Sequence, residues 1–251
     1  MLTIRLDGYN STMESPRRIE REFGVPFPGE ILPRDQWTRT GLKRLPATGR
    51  LSWPELFGRE SPVVLDLGCG NGRFSVLSAV LRPDHDHLGL DQLPVVIRYA
   101  TRRANQRGLA NIRFAVGDSR DFLQRLVEPR SVAEIHVYHP QPYHDPADVG
   151  RRLLAPRFLA LVHRALIVGG QFFVQTDNAD YWHSMSEVIP HFFEFSERRQ
   201  PWADAPKGRT RREIIALKRG LPVFRGQGTA RGDLDETAVL ELAERLERDK
   251  Q

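Results

Sequence analysis

The chain has 251 residues, 40% of them hydrophobic and 27% charged, with a formal net charge of +5. That length buries a full core in one α/β domain. No run approaches the roughly 20 apolar residues that cross a bilayer, and the N-terminus lacks an apolar signal core, which excludes a membrane-spanning class and predicts a cytoplasmic address.

Residues 1–52 carry Pro16, Pro26, Pro28, Pro33 and Pro46 and no sustained periodicity. They read as an arm that wraps the domain or stays partly disordered, with one or two helical turns expected over Arg17-Arg18-Ile19-Glu20-Arg21-Glu22. From 53 to 226, strands and helices alternate: strand 63–67, helix 72–81, strand 87–91, helix 94–107, strand 112–116, helix 119–127, strand 133–138, helix 153–166, strand 171–176 and helix 180–189. Each βαβ period predicts parallel pairing, and five parallel strands should gather a ligand at their carboxyl ends. Segments 192–195 and 213–217 are expected to finish the sheet as an antiparallel edge hairpin. The result is an α/β fold with a Rossmann-like, mostly parallel seven-stranded sheet. Residues 227–251 read as a C-terminal amphipathic helix with Val239, Leu242 and Leu246 on its apolar side.

The first strand, Val63-Val64-Leu65-Asp66-Leu67, runs directly into Gly68-Cys69-Gly70-Asn71-Gly72. Glycines at such a turn let the backbone take positive φ and approach a ligand closely. A dinucleotide fingerprint would need a third glycine where Arg73 stands, so that a helix N-terminus can receive a pyrophosphate. Asp66 would repel a pyrophosphate and suits the ammonium or sulfonium end of S-adenosylmethionine. Methyl transfer is therefore the favoured class and hydride transfer the runner-up. The second strand ends at Asp91, placed to pair with ribose hydroxyls, and the third ends at Gly117-Asp118.

Cys69 is the sole cysteine, which excludes an intrachain disulfide and a four-cysteine zinc site. His136, His139 and His144 lack a metal-ligand spacing, so no metal is expected. Tyr138 and Tyr143 stand where a tyrosine either stacks on a base or simply packs. Six basic residues (Lys207, Arg209, Arg211, Arg212, Lys218 and Arg219) cluster against the single acid Glu213, and Arg98, Arg102 and Arg103 share a helix. Both clusters fit contact with RNA phosphates or solvation of helix faces.

From Leu56 through about Arg219 the order of these motifs resembles the bacterial tRNA (guanine-N7-)-methyltransferase family of class I methyltransferases. Asp66-Leu67-Gly68-Cys69-Gly70-Asn71-Gly72 is similar to that family's first motif, Gly89-Leu90-Asp91 to its ribose-binding acid, and Asn111-Ile112 with Gly117-Asp118-Ser119 to its adenine-side motif. Arg151-Arg152-Leu153-Leu154-Ala155-Pro156-Arg157-Phe158-Leu159 is similar to the helix after the acceptor loop. Thr176-Asp177 with Tyr181, and Thr210-Arg211-Arg212-Glu213, resemble its acceptor-side signatures.

The resemblance implies a class I methyltransferase fold, S-adenosyl-L-methionine as cofactor and tRNA as partner. It assigns Asp66, Gly68, Gly70, Asp91, Asp118 and Ser119 to the cofactor, and Asp177, Thr210 and Glu213 to the acceptor. It breaks after the fourth strand, where the family carries F-P-D-P-W followed by Pro or His and then Lys, and this chain reads His139-Pro140-Gln141-Pro142-Tyr143-His144-Asp145. Gln141 replaces the acid and is expected between acceptor and cofactor. Tyr143 replaces the tryptophan, and Asp145 reverses the charge of a substrate-binding lysine. Two alternatives stay open: a different acceptor, or a noncatalytic paralogue that binds cofactor and RNA. A monomer is favoured over a dimer.

Overall fold

The structure is a computed structural model that describes residues 19–249. Seven strands, β1 (Val63–Leu67), β2 (Asp86–Asp91), β3 (Ile112–Val116), β4 (Val132–Tyr138), β5 (Leu166–Thr176), β6 (Phe193–Glu197) and β7 (Phe224–Ala230), form one sheet in the order β3-β2-β1-β4-β5-β7-β6. The first five pair in parallel. β7 lies antiparallel between β5 and β6, so the mostly parallel sheet ends in the expected antiparallel hairpin. All five residues of β1 are buried, because helices cover both faces of a parallel sheet and leave no solvent side for alternation to mark.

Between the strands run α1 (Arg73–Leu81), α2 (Pro94–Gln106), the short α3 (Ser119–Asp121), α4 (Pro156–Ala165), α5 (Ala179–Val188), α6 (Arg211–Lys218) and, last, α7 (Glu236–Arg248). One apolar cluster joins Leu65, Leu88 and Ile135 of the sheet to Phe158 and Leu159 of α4, Met185 of α5 and Val239 of α7. A second joins Phe114 of the sheet to Val76 of α1, Ala100 and Ala104 of α2, and Phe27 from the N-terminal segment. Strand order reverses between β1 and β4, and such a switch point opens a crevice at the carboxyl ends of the strands.

Three expectations are corrected. The C-terminal helix expected over 227–251 starts at Glu236, because 227–230 complete β7 by pairing with β5 and β6. Segment 213–217, read as a strand, lies inside α6, and the partner of β6 is β7. A short apolar run such as Ile214-Ile215-Ala216-Leu217 fits either state by periodicity. The cap decides it, since Thr210 Oγ1 accepts from Glu213 N at 3.1 Å and starts a helix that buries Ile214 and Ala216. The helical turns expected over 17–22 are not formed in their described part: Arg21–Glu22 pairs with Val25–Pro26 across a Phe23-Gly24 turn with φ of 47° and 78°. Arg17 and Arg18 lie outside the described residues. Further along, Phe114 N donates to Thr40 O and Leu42 N to Phe114 O, both at 2.8 Å, so the chain near Gly41 runs beside the outer edge of β3.

No helix among the described residues is long and apolar enough to cross a membrane. The glycine turn depends most on Gly72, whose φ is +75° and whose Cβ would stand 2.7 Å from Ala100 Cβ on α2. Gly72→Ala combines a left-handed conformation with a backbone-level clash and should cost about 2–4 kcal/mol. Urea unfolding measures this, and an unchanged midpoint would mean that α2 does not pack against the turn as described.

Candidate functional site

A cavity of about 580 Å³ opens at the switch point. One wall is the glycine turn. Gly68 (φ +81°) and Gly70 (φ +53°) have no heavy atom within 4 Å of where a Cβ would stand, so the backbone itself faces the open space. Beneath them Asp66, at 4% exposure, accepts from Ser75 Oγ at 2.5 Å. Burial pushes its carboxyl up to about 7, with the Ser75 bond opposing the rise and the nearby Asp91 charge adding to it. A buried carboxyl at that position is poised to ionise against a cation.

Asp91, at the end of β2, accepts from Gly70 N at 3.0 Å through one oxygen and from Leu93 N at 2.9 Å through the other. It ties the turn to the start of α2. At the next strand end Asp118 caps α3 by accepting from Asp121 N at 2.9 Å, and it accepts from Gln92 Nε2 at 2.5 Å. Ser119 is buried beside it. The turn is also held from outside: Glu22 accepts from Asn71 Nδ2 at 2.7 Å, from Arg103 Nη2 at 3.1 Å and from Arg73 Nη1 at 3.3 Å.

The opposite wall comes from the ends of β4 and β5 and from α6. Tyr138, His139, Asp177, Thr210, Arg211 and Arg212 all line the cavity. His139 Nδ1 lies 3.1 Å from Asp177 Oδ1, and Arg212 Nε donates to both Asp177 oxygens at 2.9 and 3.0 Å. The His139 bond first, and then the Arg212 guanidinium, hold the Asp177 carboxyl well below the ordinary carboxylate range against the effect of burial. Arg209 stacks its guanidinium 4.2 Å from the Trp202 ring centroid and donates to Tyr138 Oη at 2.7 Å. Burial pushes the Tyr138 phenol up, so it stays protonated.

Asp66, Gly68, Gly70, Asp177 and Thr210 thus share one cavity, with Asp91 bonded to its glycine wall and Asp118 joined to Asp91's neighbour Gln92. Three other residues expected at the site stand elsewhere. Gln141 is exposed and lies outside the cavity lining. Asp145 is also exposed, and caps a turn by accepting from Ala147 N at 2.9 Å. Glu213 is fully buried behind the wall, accepting from Arg225 Nη2 at 2.6 Å and Nε at 3.0 Å, from Arg209 N at 2.7 Å and from Gln175 Nε2 at 3.2 Å. Sequence reasoning passed over His139, Gln175 and Trp202 as site residues. Only the departure of the 139–145 loop from its family pattern pointed near them. Tyr143 lies under the Arg151 guanidinium at 4.9 Å, and His136 is buried in β4, bonded to Glu134 and Tyr138. No group of three or more metal-ligating side chains occurs among the described residues.

A family described as putative methyltransferases matches residues 60–225. The chain is similar to a tRNA (guanine-N(7)-)-methyltransferase of Alcanivorax borkumensis, with 32% identity over 190 residues covering 76% of this chain and 79% of that one. It is also similar to a protein of the same name from Rubrobacter xylanophilus, with 37% identity over 147 residues covering 59% and 64%. Among solved structures, the 16S rRNA methyltransferase KamB superposes with a TM-score of 0.55 at 20% identity, covering 76% of this chain and 98% of that one. An antibiotic-related methyltransferase gives 0.52 at 15% identity, covering 73% and 96%. These two likenesses show the fold.

Because Arg225 is 3% exposed and Glu213 not at all, Glu213→Gln strands a buried cation. Removing one partner of such a pair typically costs about 3–5 kcal/mol. Thermal or urea denaturation should show a loss of that size, and a variant as stable as the parent would mean that the pair is hydrated in solution.

Proposed function

We infer, since the chain belongs to the tRNA (guanine-N(7)-)-methyltransferase family, that it transfers a methyl group from S-adenosylmethionine to N7 of a guanosine in tRNA. The observation that carries this reading is one continuous cavity bounded by the Asp66 glycine turn on one side and by Asp177, Thr210 and Arg212 on the other. In this reading the glycine turn faces the cofactor and the Asp177 side faces the acceptor, across a cavity of about 580 Å³.

The residues present fit the cofactor. Gly68 and Gly70 leave a cradle that a Cβ would fill, and Asp66 lies buried beneath it with a carboxyl that a cationic group would ionise. In this reading Asp66, Gly68 and Gly70 hold the methionine moiety, Asp91 the ribose hydroxyls, and Asp118 with Ser119 the adenine edge. When bound, S-adenosylmethionine supplies an electrophilic methyl on its sulfonium.

Guanine N7 is a bare acceptor lone pair with no proton to remove, so no side chain need serve as a general base. The protein's contribution is to orient N7, exclude water and stabilise the positive charge that develops on the purine. Asp177 is suited to the first and last of these tasks, because its carboxyl stays ionised and faces the cavity. Gln141, carried outward, leaves base selection to Asp177 and Thr210. Arg211 and Arg219 at the cavity, with Lys218 beside them, supply charge for tRNA phosphates.

Two measurements test this. Purified protein, methyl-labelled S-adenosylmethionine and unmodified tRNA should yield 7-methylguanosine by nucleoside mass spectrometry. Label in another nucleoside would overturn the acceptor, and unlabelled tRNA would overturn the transfer. Second, Asp66 gains a proton as pH falls through about 7, whereas a cationic ligand binds its ionised form. Affinity for S-adenosylhomocysteine should therefore fall on acidification below pH 7, approaching about tenfold per unit by linkage. Calorimetry between pH 5 and 8 reads this, with Asp66→Asn expected to be weaker and flat; a parent curve as flat as the variant's would remove Asp66 from the site.

A further inference from the structure

The hydrogen bonds behind Asp177 fix one another's direction in sequence. Trp202 Nε1 can only donate, so the Gln175 atom 2.8 Å away is the carbonyl oxygen. Gln175 Nε2 then faces two partners, Glu213 Oε2 at 3.2 Å and His139 Nε2 at 3.1 Å, and gives one N–H to each. His139 Nε2 must offer a lone pair, which places the ring proton on Nδ1, 3.1 Å from Asp177 Oδ1. Gln175 and Glu213 are fully buried and Trp202 nearly so, and the His139 side chain is 4% exposed. Water therefore does not compete to reverse the tautomer. His139 also holds φ at +51°, a left-handed conformation unusual for a side chain with a Cβ, and such outliers concentrate at functional sites.

We propose that His139 is the positioning residue for Asp177: its Nδ1–H, aimed by the Trp202, Gln175 and Glu213 relay, sets the carboxylate so that its remaining lone pairs meet the N–H donors of the acceptor base. Arg212 shares the task from the solvent side, but its side chain is half exposed and its hold yields to salt, whereas the buried ring does not. For guanine those donors are N1–H and N2–H2, the edge that separates it from adenine. This inference rests on the methyl-transfer reading for the identity of the base, and on the wall geometry for the relay.

His139→Phe keeps an aromatic ring and removes the donor. It should raise KM for tRNA by about tenfold, the usual effect of losing one hydrogen bond to a charged group, with affinity for S-adenosylhomocysteine within about twofold of the parent's. His139→Asn, whose amide nitrogen takes the place of Nδ1, should recover most of the loss. In an Asp177→Asn background His139→Phe should add little, because the two act as one unit. Equal KM values for the Phe and Asn variants, or additive effects in the double variant, would overturn the proposal. Nitrogen-15 spectra of the His139 ring in the parent protein need no turnover: a proton on Nδ1 supports the relay, and a proton on Nε2 overturns it. Should the parent fail to methylate tRNA, the proposed function falls on that result, and the ring spectra alone decide the relay.

Discussion

Glu213 and Arg225 approach to 2.6 Å with almost no exposure, and neither charge can remain in the interior without the other. Arg225 stands on β7 and Glu213 in the first turn of α6, so the pair pins that helix to the antiparallel half of the sheet. The second carboxylate oxygen accepts from Arg209 N and Gln175 Nε2, which fixes the chain entering α6 and the end of β5 together. Thr210, Arg211 and Arg212 reach the cavity because of this arrangement. The Thr-x-x-Glu pattern serves this wall through two different residues. Thr210 sits at the surface of the cavity and caps the helix, and Glu213 works from behind.

The glycine-turn side is built on the same logic with a different anchor. Arg73, Arg103 and Arg107 converge on the N-terminal ribbon, each within 5.5 Å of the Phe27 ring centroid. Burial pushes Arg73 and Arg107 down, and Glu22 and Glu20 oppose that effect. Glu22 extends the network to Asn71 in the glycine turn. On its other side the ribbon meets α6, where the Arg211 guanidinium lies 5.3 Å from the Phe23 ring. The segment before the first sheet strand therefore touches both walls.

How much of this was legible in the sequence follows from how local each cause is. The five parallel strands, and the acids at Asp66, Asp91 and Asp118 that end or follow them, could be read because periodicity and glycine placement are local signals. The state of 213–217 could not, since its apolar run fits both periods and only the Thr210 cap and the Arg225 partner choose between them. Gln141 and Asp145 were assigned by position in a resembled motif. The loop that carries them has φ of +51° at His139 and +47° at Tyr143, a backbone path that residue type did not signal, and Gln141 on it is exposed and outside the cavity lining. The link between His139, Gln175 and Trp202 was invisible because its members lie on separate segments brought together only by the sheet.

Net charge is a poor guide to what such a surface offers a polyanion. Arg73, Arg103, Arg107, Arg209 and Arg225 all pair with carboxylates inside the fold, so the number of arginines overstates the charge free to meet phosphates. Arg212 is bound to Asp177. Of the exposed cations beside the cavity, Arg211 and Lys218 belong to α6, the helix that the Glu213 pair holds in place, and Arg219 follows it directly. Lys218 and Arg219 also stand at the helix C-terminus, where positive charge is favoured by the backbone dipole. The Arg212 partner of Asp177 and these outward cations thus meet on one short helix, and the buried Glu213 pair that seats it positions both. A substitution that loosened α6 would disturb the Asp177 ion pair and the outward cations at once, while one confined to Asp177 or His139 would leave the cations where they are.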